Sequence, residues 1–254
     1  MPGALSIGSL VPSQHRIRIR GGTCYGWPVG TTVVSLLVVG LTVGAADIDL
    51  ASLVAQAESR RDARVQEVRS VRQYTVRNPR WKTDATMDVR MITSADGSKR
   101  YEVLGTNAEG LRKTILTRII EGEIHAAAKK DRDGNVNSKN YELRLIPGTP
   151  AAGETCRKVQ LVAKNRTRFT FDGHGCVDMN DMAMVRMEGR TTKNMSWLVG
   201  RADVVQEFRK VGDLWYSSLN QSVADVRFLG KTQLIIKYSD YSITRKPVIT
   251  ASGN

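Results

Sequence analysis

Residues 168 to 241 read as one continuous antiparallel meander, and no other stretch constrains the fold as much. RFTFDGHGCVD (168–178) leads into a polar turn, Met179-Asn180-Asp181, and AMVRMEGR (183–190) reads as the return strand. VVQEFRKVGDLWYSSLNQS (204–222), ADVRFLG (224–230) and TQLIIKYSDY (232–241) follow. Short runs rich in Val, Ile, Phe and Tyr, punctuated by Gly, Asn, Asp or Ser, are the pattern of successive strands and tight turns.

The chain before the meander adds helices to strands. Residues 47–64 space Leu50, Leu53, Val54 and Ala57 at helical intervals, with Asp47 or Asp49 available to cap the start. Strand character returns over 70–77 around Tyr74 and Val76, and Asn78-Pro79-Arg80 is a turn. Over 85–93 the sequence alternates, with Met87, Val89 and Met91 on one face and Asp88 and Arg90 on the other. Ala95-Asp96-Gly97 is a hairpin signal, and 99–104 is its partner strand. Residues 111–130 break the rhythm. Leu111, Ile115 and Ile119, with Leu116, Ile120 and Ile124 beside them, make the apolar stripe of an amphipathic helix. A polar loop at 131–140, a strand at 141–145 ended by Pro147-Gly148-Thr149-Pro150, and a strand at 157–163 complete the series.

About ten strands and two main helices in this order predict a mainly β, α+β fold. The expected architecture is a strongly curved antiparallel sheet forming an incomplete β-barrel, with amphipathic helices covering the concave face.

Three runs carry a family resemblance: Val177-Asp178 with Asp181, Val185-Arg186, Glu188 and Gly189; Val211-Gly212-Asp213-Leu214-Trp215; and DVRFLGKTQLIIKYSDY at 225–241. Together they resemble the outer-membrane lipoprotein-sorting proteins, relatives of the periplasmic lipoprotein carrier LolA. The resemblance is firmest over 168–241 and weaker over 65–165. Cys176 stands where that family often has Trp, and Tyr216-Ser217 where it often has Leu-Pro. The resemblance implies a half-barrel that shelters acyl chains in an apolar cavity. Its partners would be an acylated lipoprotein or lipid, together with inner- and outer-membrane sorting components. A sensor or interaction protein on the same fold is the alternative. The regulators of envelope-stress signalling that represent it carry a second C-terminal domain, for which the residues after Tyr241 leave no room.

The leader points to export. Residues 1–45 hold Arg16, Arg18 and Arg20 but no acid, then an apolar run over 33–43, then Val43-Gly44-Ala45. This is the order of a cleaved signal peptide, leaving 46–254 as a single domain. The alternative, an uncleaved anchor, needs about 20 apolar residues. Cys24 precedes the apolar run and so is not placed for lipid modification. The expected product is periplasmic and soluble after cleavage.

In that oxidising compartment Cys156 and Cys176 are a disulfide candidate. A hairpin centred on Arg166, within Asn165-Arg166-Thr167, would set them directly opposite; two buried thiols are the alternative.

Formal net charge is +13. The densest basic group, Arg60, Arg61, Arg64 and Arg69, is interleaved with Glu58, Asp62 and Glu67, which reads as a solvated surface with no nucleic-acid partner. No catalytic motif, C-x-x-C pair or metal-ligand spacing is present. His125 and His174 have packing or surface roles, and no enzyme activity, metal or cofactor is expected. Asp178 and Asp181 bracket a turn, where Asp is expected for backbone reasons.

The candidate lining of the apolar cavity is Met87, Val89 and Met91 on one strand, Ile115 and Ile119 on the amphipathic helix, and Met184 and Trp215 in the meander. Methionine suits a surface that must fit varied apolar ligands, although each of these residues also fits a core, as do Met182 and Met187 on predicted strands. Trp81, Trp197 and Trp215 are expected in the core or at the cavity rim.

Overall fold

The computed structural model describes residues 49–128, 134–148 and 156–247; the leader expected over 1–45 lies outside them. Their elements run α1 (Leu50–Asp62), β1 (Val65–Arg77), β2 (Ala85–Ser94), β3 (Lys99–Thr106), α2 (Gly110–Ala128), β4 (Tyr141–Leu145), β5 (Cys156–Ala163), β6 (Phe171–Asp178), β7 (Ala183–Thr191), β8 (Val199–Val211), β9 (Leu214–Val226) and β10 (Gly230–Arg245).

All ten strands join one antiparallel sheet in the order β3-β2-β1-β10-β9-β8-β7-β6-β5-β4. Strands adjacent in sequence pair with each other, except that β1 pairs with β10 and β3 and β4 form opposite edges. The sheet is therefore open, and the expected incomplete barrel is what the chain forms. Bulges bend the ladder between β1 and β10, β2 and β3, β6 and β7, and β8 and β9.

Both helices lie on one face. A row of directly opposed residues crosses the sheet: Met87, Tyr74, Ile236, Asn220, Gln206, Met187, Gly175, Val159 and Leu145. Opposed residues share a face. At one end of the row, Met87, Tyr74 and Ile236 pack with Leu116 and Ile120 of α2. At the other, Met187 and Val159 pack with Leu50 and Val54 of α1. The middle of the row is two amides. The face thus holds two apolar wells, one under each helix, separated by a polar strip.

Local chemistry explains the elements. Asp49 caps α1, its carboxylate accepting from the backbone N–H of Ala51 at 3.2 Å and of Ser52 at 3.4 Å, and from the Ser52 hydroxyl at 2.7 Å. Asp178 closes the β6–β7 turn by accepting from the N–H groups of Asn180 and Asp181.

Three readings need correction. The run at 204–222 is two strands, because Gly212, with φ of +64°, and Asp213 make a two-residue hairpin between Val211 and Leu214. ADVRFLG is no separate strand: its first residues finish β9, and the rest turn into β10. Met182 sits in the β6–β7 turn at φ of +47°, not on a strand.

Cys156 and Cys176 are joined, with Cα atoms 5.6 Å apart. They are not directly opposite, as expected from a hairpin centred on Arg166. Cys156 opposes Asp178 and Cys176 opposes Lys158, so the bridge runs diagonally and the hairpin centres one residue later, at Thr167. On chain entropy a bridge over a loop of this length is worth about 3 kcal/mol.

Candidate functional site

The seven expected lining residues do not come together. Met87, Val89 and Met91 are fully buried in the well under α2, with Ile115 and Ile119 half-buried on the helix above them. Met184 is buried in the other well, beneath α1. Trp215 serves a different purpose. Its indole Nε1 donates to Asp181 Oδ2 at 2.7 Å, where Lys210 Nζ also donates at 2.7 Å. These donors hold the Asp181 carboxyl below its ordinary range, the lysine bond contributing most. Arg61 of α1 donates to the Asp181 carbonyl at 2.9 Å, so this cluster ties α1 and the ends of β8 and β9 to one turn.

Helix α2 presents a narrower apolar edge than its stripe suggests. Leu116 and Ile120 are fully buried, whereas Leu111 is 69% exposed. The helix axis is rotated so that Glu123, one turn beyond Ile120, also faces the sheet. The Glu123 carboxylate accepts from Arg72 Nη1, from Lys99 Nζ at 2.6 Å and from the Tyr74 hydroxyl at 2.9 Å. The Arg72 guanidinium, whose side chain is 10% exposed, also lies over the Tyr238 ring, 5.1 Å from its centroid. Burial opposes ionisation of Glu123, but the charges of Arg72 and Lys99 outweigh it and hold the carboxyl down to about 2. Burial pushes the phenols of Tyr74 and Tyr238 upward, so both stay neutral. This clasp escaped the sequence reading. Its signal is an acid at the edge of an apolar helical stripe together with an Arg on the strand face that also carries Tyr74 and Val76.

On the opposite face, β6 to β9 form a groove of about 520 Å³ whose side chains include Asp172, His174, Glu188, Arg190 and Asp203. Val204, Val205 and Val223 line it together with these charged groups. Exposed His174 stands opposite Glu188 across the strands. Among the described residues no group of three or more His, Cys, Asp or Glu is placed to hold a metal ion. No described helix is long and apolar enough to cross a membrane.

Three glycines shape the wall of the α1 well. Gly173 and Gly189 oppose each other on β6 and β7. A Cβ on Gly173 would stand 2.0 Å from the Glu188 carbonyl oxygen and 2.6 Å from the Gly189 Cα. One on Gly175 would meet Leu161 and Met184 at 2.8 Å. The backbones approach here more closely than any side chain permits, which lets the sheet bend.

No protein-family model matches the chain, and no curated protein does. Solved structures do. A LolA superfamily protein from Nitrosomonas europaea is 9% identical, with a TM-score of 0.42 over 76% of this chain and 94% of that one. An outer-membrane lipoprotein-sorting protein domain from Vibrio parahaemolyticus is 9% identical, with a TM-score of 0.39 over 76% and 92%. Pseudomonas aeruginosa MucB, solved with MucA, is 10% identical, with a TM-score of 0.27 over 79% and 95%. The first two come from the group that the strand motifs resemble. At such identities and scores the likeness carries nothing about what this chain binds.

Proposed function

We propose that the mature protein is a periplasmic carrier that binds acyl chains of a lipid or lipoprotein noncovalently and performs no chemistry on them. The observation that carries this reading is the α2 well. Met87, Val89 and Met91 form an apolar floor, and the helix over it fully buries two side chains and is fastened by a polar clasp at its edge. An acyl chain sliding under α2 would replace the helix's apolar contacts while the clasp limits how far the helix moves. Each methylene buried contributes about 0.8 kcal/mol, so a chain of about ten methylenes supplies about 8 kcal/mol before association costs. That suits a cargo that must be released.

The test is titration of delipidated protein with a fluorescent fatty-acyl probe and with a triacylated peptide. Met91→Ala should weaken saturable binding by about tenfold through lost apolar area. Met184→Ala, in the other well, should leave the affinity unchanged. Melting curves confirm that each variant is folded. Because the α2 floor is fully covered in this conformation, an interaction protein on the same fold is the second reading, and it prevails if neither probe saturates.

Export belongs to the same proposal. Residues 1–45 are a cleaved leader and 46–254 the working domain, so the N-terminus of the exported protein should be Ala46 or a near neighbour. Edman sequencing that returned a start before Val33 would refute the cleavage.

A further inference from the structure

We propose that one end of the sheet docks onto an anionic lipid surface, through the β7–β8 and β9–β10 loops. Trp197 is 75% exposed and Phe228 is 79% exposed, and Leu198 beside Trp197 is exposed as well. The strand register sets both loops, and the β1–β2 turn, at the same end: Val199 opposes Val226, Val226 opposes Gly230, and Arg77 opposes Gln233. Leu111, at the start of α2, joins this end, because Arg112 Nη1 donates to Thr83 in the β1–β2 turn at 3.2 Å.

The loops are built as one platform. The Arg227 N–H donates to the Leu198 carbonyl at 2.7 Å, and its guanidinium lies 5.9 Å from the Trp197 ring centroid. Asn78 Nδ2 donates to the Leu229 carbonyl at 3.1 Å, and Arg80 donates to the Phe228 carbonyl. Phe228 itself is held at φ of +70°, a left-handed conformation that a bulky residue avoids unless its surroundings impose it. The clamped backbone leaves the ring exposed.

The same loops carry Arg80, Lys82, Lys193 and Arg227, with Lys231 at the start of β10. Of the acids at this end, Asp84 is taken by Arg77 at 2.7 Å, Asp225 opposes Lys231, and Glu109 lies at the α2 start. Exposed Trp and Phe within a cationic rim match a bilayer interface, where aromatic rings sit at headgroup depth and Lys and Arg meet acidic phosphates. This surface is separate from the acyl-binding well and stands whether or not that reading holds.

The experiment is co-sedimentation of the full chain with vesicles of one part phosphatidylglycerol to two parts phosphatidylcholine, and with phosphatidylcholine alone. Trp197→Ser with Phe228→Ser should lower partitioning onto the mixed vesicles by about tenfold or more. Lys82→Ala with Arg227→Ala should lower it by about fivefold per charge on the mixed vesicles and leave neutral vesicles unaffected. High salt should erase that difference. Unchanged melting and unchanged acyl-probe titration confirm that the variants are folded. Binding through the apolar leader would be insensitive to these substitutions, so equal partitioning of parent and aromatic variant overturns the proposal. Absence of binding by the parent also overturns it and assigns the patch to a protein partner.

Discussion

Gly173→Ala is expected to destabilise the protein by about 3 kcal/mol or more. The added Cβ would meet backbone atoms of Glu188 and Gly189, at 2.0 and 2.6 Å, not the end of a flexible side chain. Relief requires β6 and β7 to separate, which weakens the ladder and moves Phe171, Leu161 and Met184 of the α1 well together. Total stability of a domain this size is about 5–15 kcal/mol, so the loss is a large share of it. Thermal melting should fall by about 10 °C. Gly122→Ala is the matched control. That glycine lies inside α2 with nothing within 4 Å of a built Cβ, and alanine there should stabilise by up to about 1 kcal/mol. A Gly173→Ala protein that melts like the parent would mean that the two strands do not approach as described.

Glu123 should be the second most costly position. Glu123→Ala removes the carboxylate on which Arg72, Lys99 and Tyr74 converge, and leaves the Arg72 guanidinium buried beside Tyr238 without its counter-charge. Breaking such a pair from one side costs about 3 kcal/mol. The titration of Glu123 leads to a similar figure. Its carboxyl ionises at about 2 in the folded protein against an ordinary 4.5. A depressed folded value means that the unfolded chain binds the proton more tightly. The stabilisation is therefore complete above about pH 4.5 and is lost as the pH falls toward about 2. With 27% of the side chain still exposed, about 2–3 kcal/mol is at stake. Urea unfolding measured across that window should show the parent losing this much more than Glu123→Ala. Parallel pH profiles would refute the clasp. Lys99→Met, which leaves Arg72 in place, should cost about 1 kcal/mol.

The α2 well links these expectations to function. Acid that releases Glu123 should loosen α2 from β1 and β3, whereas α1 keeps its apolar contacts, the Arg61 bond to the Asp181 carbonyl and the disulfide tie at β5 and β6. The same loosening would open the floor of Met87, Val89 and Met91.

How the elements arise was legible in the sequence where periodicity is local. The alternation through Met87, Val89 and Met91, the cap at Asp49, the turn aspartate at Asp178 and the inserted helix follow from spacings of two or 3.6 residues and from turn chemistry. The open antiparallel class follows from these; the strand count comes out right because reading 204–222 as one strand is offset by reading 224–230 as another. The pairing of β1 with β10 closes a separation of about 170 residues, and no local pattern announces it. The sharing of one face by two wells could not be read either. It depends on which residues end up opposite across eight ladders, and each bulge changes that parity. For that reason Met184 and Met91, alike in strand pattern, lie under different helices, and Trp215 donates to the β6–β7 turn at Asp181. Trp197, expected in the core or at the cavity rim, is exposed on the loop that Arg227 and Leu198 tie down. Side-chain type and spacing settle what a residue prefers locally, whereas burial and charge pairing are properties of the surface it meets, and that surface exists only once distant strands have come together.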